Sequence, residues 1–186
     1  MKTIVFTAMA VGIMMLTACK EKKQGDGQII TTDYEVPQPK APVAMSQTAD
    51  SRVVQWVDGR VYKVSITRMP ADSLPMVTDE IGQKYVDNAV RVAIMRSDST
   101  TFIDKVFTKS AFASHLDNDY RHNAMLVGMH YLECHGTEMD FVAVFNHPAA
   151  TDDEAIDLKL TIDSQRNIKI QEFDDNQRED LDLEEE

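Results

Sequence analysis

The chain has 186 residues, which is the length of about one domain. Its formal charge of −12 argues against a general nucleic-acid binder, and its two cysteines exclude a disulfide-rich scaffold. Apolar residues make up 43% of the chain, which is typical of a globular protein rather than a wholly disordered one. We therefore expect one folded domain and no nucleic-acid partner.

The first 18 residues differ from the rest of the chain. Lys2 is their only charge, and residues 4–16 are almost continuously apolar. That apolar run is shorter than the roughly 20 residues that a helix needs to cross a bilayer. A charged start followed by a short apolar run and small residues is typical of a secretory signal peptide. The pattern predicts such a peptide for residues 1–18.

The residues Leu16-Thr17-Ala18-Cys19 resemble the lipobox of bacterial lipoproteins. The resemblance implies that Cys19 is the lipid anchor, carries palmitate-type acyl chains and becomes the mature N-terminus. Each buried methylene contributes about 0.8 kcal/mol, so several chains give stable anchoring. We expect a cell-envelope protein of the outer membrane that contacts the bilayer through Cys19. Its periplasmic or surface orientation stays open.

Three segments follow the signal peptide. Residues 19–52 are expected to be the lipidated cysteine and a flexible tether, because prolines are frequent there and large apolar residues are sparse. Residues 53–171 are expected to form an antiparallel β domain. Residues 172–186 hold nine acidic residues and one arginine, and their mutual repulsion predicts a disordered acidic tail.

Alternating apolar and polar residues predict several strands within the domain. In chain order, the strand signals cover Tyr62–Ile66, Val90–Met95, Phe102–Phe107, Met125–Cys134, Met139–Phe145, Ile156–Ile162 and Ile168–Ile170. Asp58-Gly59 is a hairpin-type turn signal just before the first of these. Short connections between consecutive strands favour antiparallel neighbours.

Two short helical turns interrupt the strand pattern. Thr108 can cap a helix that runs to about His115, and Asp117 can cap a second turn over residues 118–123. The predicted fold is therefore mainly β. It consists of a single antiparallel sheet, curled or barrel-like, with one or two short helices inserted mid-chain.

The sequence contains no recognised catalytic pattern. Gly-x-Ser-x-Gly, Cys-x-x-Cys and His-Glu-x-x-His are all absent, so we assign no catalytic residue, no metal ligand and no cofactor. On a regular strand His130 and Cys134 would share a face, and His115 or His122 could complete a zinc site with them. That spacing is not diagnostic, and structural histidines with a small buried Cys134 are the commoner alternative.

Two tripeptides, Asp72-Ser73-Leu74 and Asp98-Ser99-Thr100, resemble the O-glycosylation acceptor of exported Bacteroidales proteins. Both lie in predicted loops, where a sugar could be attached. The resemblance makes Ser73 and Ser99 candidate O-glycosylation sites.

A longer set of residues resembles a family of Bacteroidales lipoproteins of about this length, known only as a domain of unknown function. The residues that carry it are Ser73-Leu74-Pro75, Asp79-Glu80, Tyr85, Asp87-Asn88, Phe107-Thr108-Lys109 and Phe112. The resemblance covers most of residues 60–170. It implies an envelope location and a single domain, and it brings no activity, cofactor or catalytic residue.

These observations favour a non-catalytic binding or interaction module. Its partner is expected to be a small ligand, such as a lipid or glycan, or another envelope protein. The alternative is a hydrolase with an unrecognised site near the helical insertion, built from His115, His122 and Asp119. A deep pocket with converging histidine and carboxylate groups favours the hydrolase, whereas an apolar groove favours binding.

Overall fold

The structure is a computed structural model that describes residues 40–173. The predicted signal peptide, Cys19, most of the expected tether and nearly all of the expected acidic tail lie outside the described residues. Within residues 40–173, no helix is long and apolar enough to cross a bilayer.

The described residues form eleven strands, one α-helix and three 3₁₀ helices. The strands are β1 (Val43–Ala44), β2 (Thr48–Trp56), β3 (Arg60–Pro70), β4 (Val77–Thr78), β5 (Lys84–Val86), β6 (Asn88–Arg96), β7 (Thr101–Thr108), β8 (Met125–His135), β9 (Glu138–Asn146), β10 (Ile156–Asp163) and β11 (Ile168–Glu172). The α-helix is α1 (Asn118–Asn123), and the 3₁₀ helices are Val57–Gly59, Lys109–Phe112 and Asp152–Glu154.

The strands are arranged in three sheets. Sheet I has the order β2–β3–β6–β7, and sheet II has the order β11–β10–β9–β8. Both are antiparallel throughout. A small third sheet joins β1, β5 and β4, in which β1 runs parallel to β5. The mainly β fold with a mid-chain helical insertion is confirmed.

The prediction of a single curled or barrel-like sheet is wrong. After β7 the chain passes through the 3₁₀ helix and α1, and β8 then starts a second sheet instead of pairing with β7. Alternation along a strand indicates which residues face the core, but it does not indicate which edge strands meet. Neither larger sheet closes on itself within the described residues.

One hydrophobic core lies between sheets I and II. Strand β8 contacts β2, β3 and β6 of the other sheet, and alternate residues of both sheets fill the space between them. The buried members include Tyr62, Val64, Ile66, Val90, Val92, Ile94, Phe107, Phe112, Leu126, Phe141, Phe145, Leu158, Leu160 and Ile162. Burial of each such side chain contributes about 1.5–3 kcal/mol, so this interface is the main source of stability.

The start of the folded part lies earlier than the expected boundary at residue 53. β1 and most of β2 fall within residues 43–52, which composition assigns to the tether. Most β2 side chains are exposed, and residues 48–52 include no large apolar residue, so the segment shows no apolar alternation. β4 and β5 are also missing from the predicted strands, since two or three residues are too few to show a period.

The two predicted caps have different outcomes. Asp117 caps α1, because its Oδ1 accepts a hydrogen bond from the Tyr120 backbone N–H at 2.8 Å. The expectation for Thr108 is wrong, since its side chain makes no capping bond and instead contacts the Ser110 hydroxyl at 2.8 Å. The helix that follows Thr108 is a 3₁₀ helix ending at Phe112 rather than a helix reaching His115.

Candidate functional site

Two clefts open on either side of α1. The first, called the apolar cleft, has a volume of about 460 Å³ and is lined by Leu74, Pro75, Met76, Val77, Asp87, Thr108, Lys109, Ser110, Ala113, Arg121 and His122. The second, called the acidic cleft, has a volume of about 670 Å³ and is lined by Thr78, Asp79, Glu80, Ile81, Asp119, Asn123, His147, Pro148, Ala149, Ala150 and Glu154. The segment 74–81 therefore contributes to both clefts.

The wall of the apolar cleft formed by residues 74–77 is held in place by backbone contacts. The Ala71 N–H donates to the Asp87 carbonyl at 2.9 Å, and the Leu74 N–H donates to the Ala71 carbonyl at 3.0 Å. Beyond this wall, Asp79 Oδ1 accepts the backbone N–H groups of Ile81 and Gln83 and so fixes the turn between β4 and β5. Asp79 therefore has a structural role in this turn.

A buried ion pair lies in the apolar cleft. Lys109 Nζ is 3.7 Å from Asp87 Oδ2, and the side chains are only 15% and 4% exposed. Lys109 Nζ also donates to the Ala124 carbonyl. Burial lowers the pKa of Lys109, and the Asp87 carboxylate partly opposes this by favouring the ammonium form.

Asp87 also connects the two larger sheets at this cleft. Its Oδ1 accepts the backbone N–H of Asn88 at 2.8 Å and that of Leu126 at 3.0 Å. The Asn88 side chain in turn donates to the Leu126 carbonyl at 3.0 Å. Because Asn88 begins β6 and Leu126 lies in β8, these bonds fix sheet I against sheet II and hold Lys109 at the cleft.

Two further basic residues, Arg121 and His122, line the apolar cleft. Arg121 donates through Nε to the Asp117 carbonyl at 3.1 Å, and no partner of its Nη atoms is found among the described residues. His122 contacts the Asn118 carbonyl through Nδ1 at 2.7 Å. Since Asp87 already pairs with Lys109, Arg121 leaves this cleft with positive charge in an otherwise acidic chain.

The acidic cleft contains a histidine–carboxylate pair. His147 Nε2 lies 2.9 Å from Asp119 Oδ2, and the Tyr120 ring packs edge-on against the imidazole at 4.5 Å. A 2.6 Å hydrogen bond from Asn123, together with the contact with His147, holds the pKa of Asp119 below its ordinary value. Among the described residues, no serine or cysteine lines this cleft.

The residues of the hydrolase alternative are distributed over different places. Asp119 lies in the acidic cleft, where its partner is His147 rather than His115 or His122. His122 lines the apolar cleft, and His115 is exposed and lines neither cleft. The structure therefore does not bring the three residues together. The sequence does not predict the pairing of His147 with Asp119. The two residues are 28 positions apart, and only the tertiary fold brings them into contact.

The expectation that His130 and Cys134 share a face of β8 is wrong. A bulge between Tyr131 and Glu133 reverses the alternation: His130 pairs with Val142, whereas Cys134 pairs with Met139 on the core side. Cys134 is half-buried against the core, as a free thiol that donates to the Gln55 carbonyl at 3.0 Å.

The two candidate glycosylation sites are both accessible. Ser73 is exposed in the loop that leads into the apolar cleft. Ser99 is exposed at the tip of the β6–β7 hairpin with a backbone φ of 66°. The neighbouring Asp98 accepts the backbone N–H and the hydroxyl of Thr100, which shapes this turn. Cys19 lies outside the described residues.

The comparison with protein families gives one match, to a domain of unknown function, DUF4738, over residues 29–170. The chain belongs to the DUF4738 family. No curated protein matches the chain. In this DUF4738 domain, many of the residues that carry the sequence resemblance converge on the apolar cleft, including Leu74-Pro75, Asp87 and Thr108-Lys109.

Proposed function

We propose that this DUF4738 protein is a lipid-anchored, non-catalytic binding module of the cell envelope, and that its ligand occupies the apolar cleft. The ligand class that fits is a small amphipathic anion. Its hydrocarbon part would pack against Leu74, Met76 and Ala113, and its carboxylate or phosphate would face Arg121 and Lys109.

The observation that carries this proposal is the composition of the apolar cleft. Ligand sites are typically about 300–1,000 Å³ in volume and mostly apolar, with a few polar groups that fix orientation. The apolar cleft has this volume, and its lining combines apolar side chains with the basic residues Lys109 and Arg121. The rest of the chain is strongly acidic, so a local excess of positive charge favours an anionic ligand.

The acidic cleft gives less support to the hydrolase alternative. Nucleophilic hydrolysis by a histidine–carboxylate pair needs a hydroxyl or thiol next to the free imidazole nitrogen. Among the described residues that line this cleft, Thr78 has the only hydroxyl group, and the nitrogen of His147 that contacts Asp119 is Nε2. Binding in the apolar cleft is therefore the function that we propose.

A titration with octanoate tests the cleft. The full chain carrying Cys19→Ser, purified without detergent, should bind octanoate measurably by isothermal titration calorimetry. Ala113→Trp should weaken binding by about tenfold or more, because the indole would fill the cleft. Ala111→Trp is the matched control, since Ala111 is exposed and does not line the cleft.

The charge requirement is tested with the same chain. Arg121→Gln should weaken octanoate binding by about tenfold, since hydrogen bonds to charged groups contribute about 1.5–3 kcal/mol. The same substitution should leave the binding of uncharged 1-octanol unchanged. Octanoate binding that survives both Ala113→Trp and Arg121→Gln would place the ligand elsewhere and would overturn the proposal.

The lipid anchor and the sugars are the remaining parts of the proposal. Their support is the lipobox-like Leu16–Cys19 segment and the exposure of Ser73 and Ser99. Anchoring at the outer membrane would keep the apolar cleft close to amphipathic envelope molecules. The sugars would add hydration and resistance to proteases.

Intact mass spectrometry of the chain isolated from envelope membranes tests both modifications. We expect a mass that begins at Cys19 and carries acyl chains, and we expect Cys19→Ser to move the chain from the membrane to the soluble fraction. Ser73→Ala and Ser99→Ala should each remove one glycan mass. A chain with an intact residue 1–18 segment, or with no acyl mass, contradicts the anchor.

A further inference from the structure

A separate cluster of charged side chains lies on the outer face of sheet II, away from both clefts. At its centre is Asp140 of β9, whose side chain is fully buried. Asp140 Oδ2 lies 2.9 Å from His135 Nε2 and 2.7 Å from Lys159 Nζ, and its Oδ1 accepts the Thr161 hydroxyl at 2.7 Å. Glu133 completes the group, since its carboxylate lies within 4.8 Å of both His135 and Asp140.

The bulge in β8 creates this arrangement. It places Glu133 directly opposite Asp140, and it turns Glu133 and His135 to the outer face while Cys134 faces the core. The following two-residue turn begins with Gly136 at a φ of 50°, a left-handed conformation that glycine adopts without strain. This turn sets His135 opposite Glu138, whose carboxylate lies 3.9 Å from His135 Nε2.

The charges in this cluster do not balance. The cluster holds three carboxylates, of Glu133, Glu138 and Asp140, and one ammonium, that of Lys159 beside Asp140, which leaves two negative charges uncompensated. Like charges directly opposite each other on neighbouring strands are destabilising. A divalent cation at His135 would neutralise this excess.

The carboxylate of Asp140 is prepared to act as a ligand. Its two oxygens lie 2.7 Å from Lys159 Nζ, 2.7 Å from the Thr161 hydroxyl and 2.9 Å from His135 Nε2. A carboxylate oxygen has more than one lone pair, so Oδ2 can keep its hydrogen bond from Lys159 and also bind a metal ion. Lys159 and Thr161 would then orient the ligand.

We infer that His135, Asp140 and Glu133 form a binding site for a divalent first-row transition-metal ion, with Glu138 next to it. The three ligand atoms lie within 4.8 Å of one another, so one ion between them could bind all three. An imidazole nitrogen favours Zn²⁺, Ni²⁺ or Co²⁺ over Mg²⁺. Water would fill the remaining positions.

Calorimetric titration of the chelator-treated full chain with ZnCl₂ tests the site. We expect saturable binding of one Zn²⁺ per chain, and no binding of Mg²⁺ at the same concentration. His135→Gln and Glu133→Gln should each weaken Zn²⁺ binding by about tenfold or more. Both side chains are largely exposed, so these variants should fold, and the fluorescence of the single, buried Trp56 checks this.

Two matched controls distinguish this site from other side chains on β8 that could bind Zn²⁺. His130→Gln removes an exposed histidine on the same strand, and Cys134→Ser removes the nearby thiol on the opposite face. Both controls should bind Zn²⁺ as tightly as the unmodified chain. Absence of saturable Zn²⁺ binding, or binding that survives His135→Gln in a folded chain, would overturn the inference.

Discussion

Asp140→Ala is expected to lower the free energy of unfolding by about 3–5 kcal/mol, the cost of removing one partner of a buried ion pair. Lys159 is only 10% exposed and would lose the carboxylate that lies 2.7 Å from its ammonium group. The Thr161 hydroxyl would lose its acceptor as well. Guanidinium denaturation followed by Trp56 fluorescence measures the loss, with a chelator present so that metal does not contribute.

A double substitution distinguishes an ion-pair effect from a cavity effect. Asp140→Ala combined with Lys159→Met removes both charges, and it should recover most of the lost stability because an apolar replacement of a whole buried pair is often neutral. Asp104→Ala breaks the exposed Arg91–Asp104 pair and should cost less than about 1 kcal/mol. A double variant no more stable than Asp140→Ala alone would contradict this explanation.

The pH dependence of stability follows from the same carboxylate. The pKa of Asp140 is lower in the folded chain than its unfolded value of about 3.9. Its contribution is therefore fully present above the unfolded pKa and is lost as the pH falls through the folded pKa. We expect the stability difference between the unmodified chain and Asp140→Ala to shrink below about pH 4.

The strands with regular alternation could be predicted from the sequence. In β10, Leu158, Leu160 and Ile162 are all buried in the core, as their period of two predicts. The same pattern predicts that the polar residues on the other face of β10 are exposed, and this prediction is wrong. Lys159 and Thr161 are also buried, and both contact Asp140 on β9, a partner that alternation within one strand does not reveal.

The two candidate sites depend on features with no sequence period. The bulge in β8 turns Glu133 and His135 to the outer face, whereas a regular strand would have placed His130 on the same face as Cys134. The apolar cleft joins residues 74–77, Asp87 and Lys109, which are adjacent only through the packing of three segments. Residues that carry the family resemblance lie in these three segments. The sequence does not show that the segments converge, because only the tertiary structure brings them together.

Asp87→Ala is expected to destabilise the chain by about 3–5 kcal/mol as well, for two separable reasons. The substitution leaves Lys109 without its carboxylate, and it leaves the backbone N–H groups of Asn88 and Leu126 without their acceptor. An unsatisfied buried donor costs about 1–3 kcal/mol. The loss should appear in denaturation of the full chain followed by Trp56 fluorescence.

Asp87→Asn separates these two contributions. An asparagine oxygen can still accept from Asn88 and Leu126, whereas the negative charge opposite Lys109 is removed. We expect Asp87→Asn to lose less stability than Asp87→Ala, and Lys109→Met added to Asp87→Asn to recover part of that loss. Hydrogen exchange of the Leu126 amide should speed up in Asp87→Ala well before it does in Asp87→Asn.

Comparing Asp87→Ala with Asp87→Asn also tests which interactions of Asp87 hold the apolar cleft open. If the backbone bonds of Asp87 to β6 and β8 fix the two sheets, Asp87→Asn should retain the cleft and its binding of 1-octanol. Octanoate binding by Asp87→Asn should be retained or tightened, because the variant removes the only carboxylate that lines this cleft among the described residues. Equal losses of stability in Asp87→Ala and Asp87→Asn would show that the charge alone matters and would contradict this account of Asp87 as the link between the sheets.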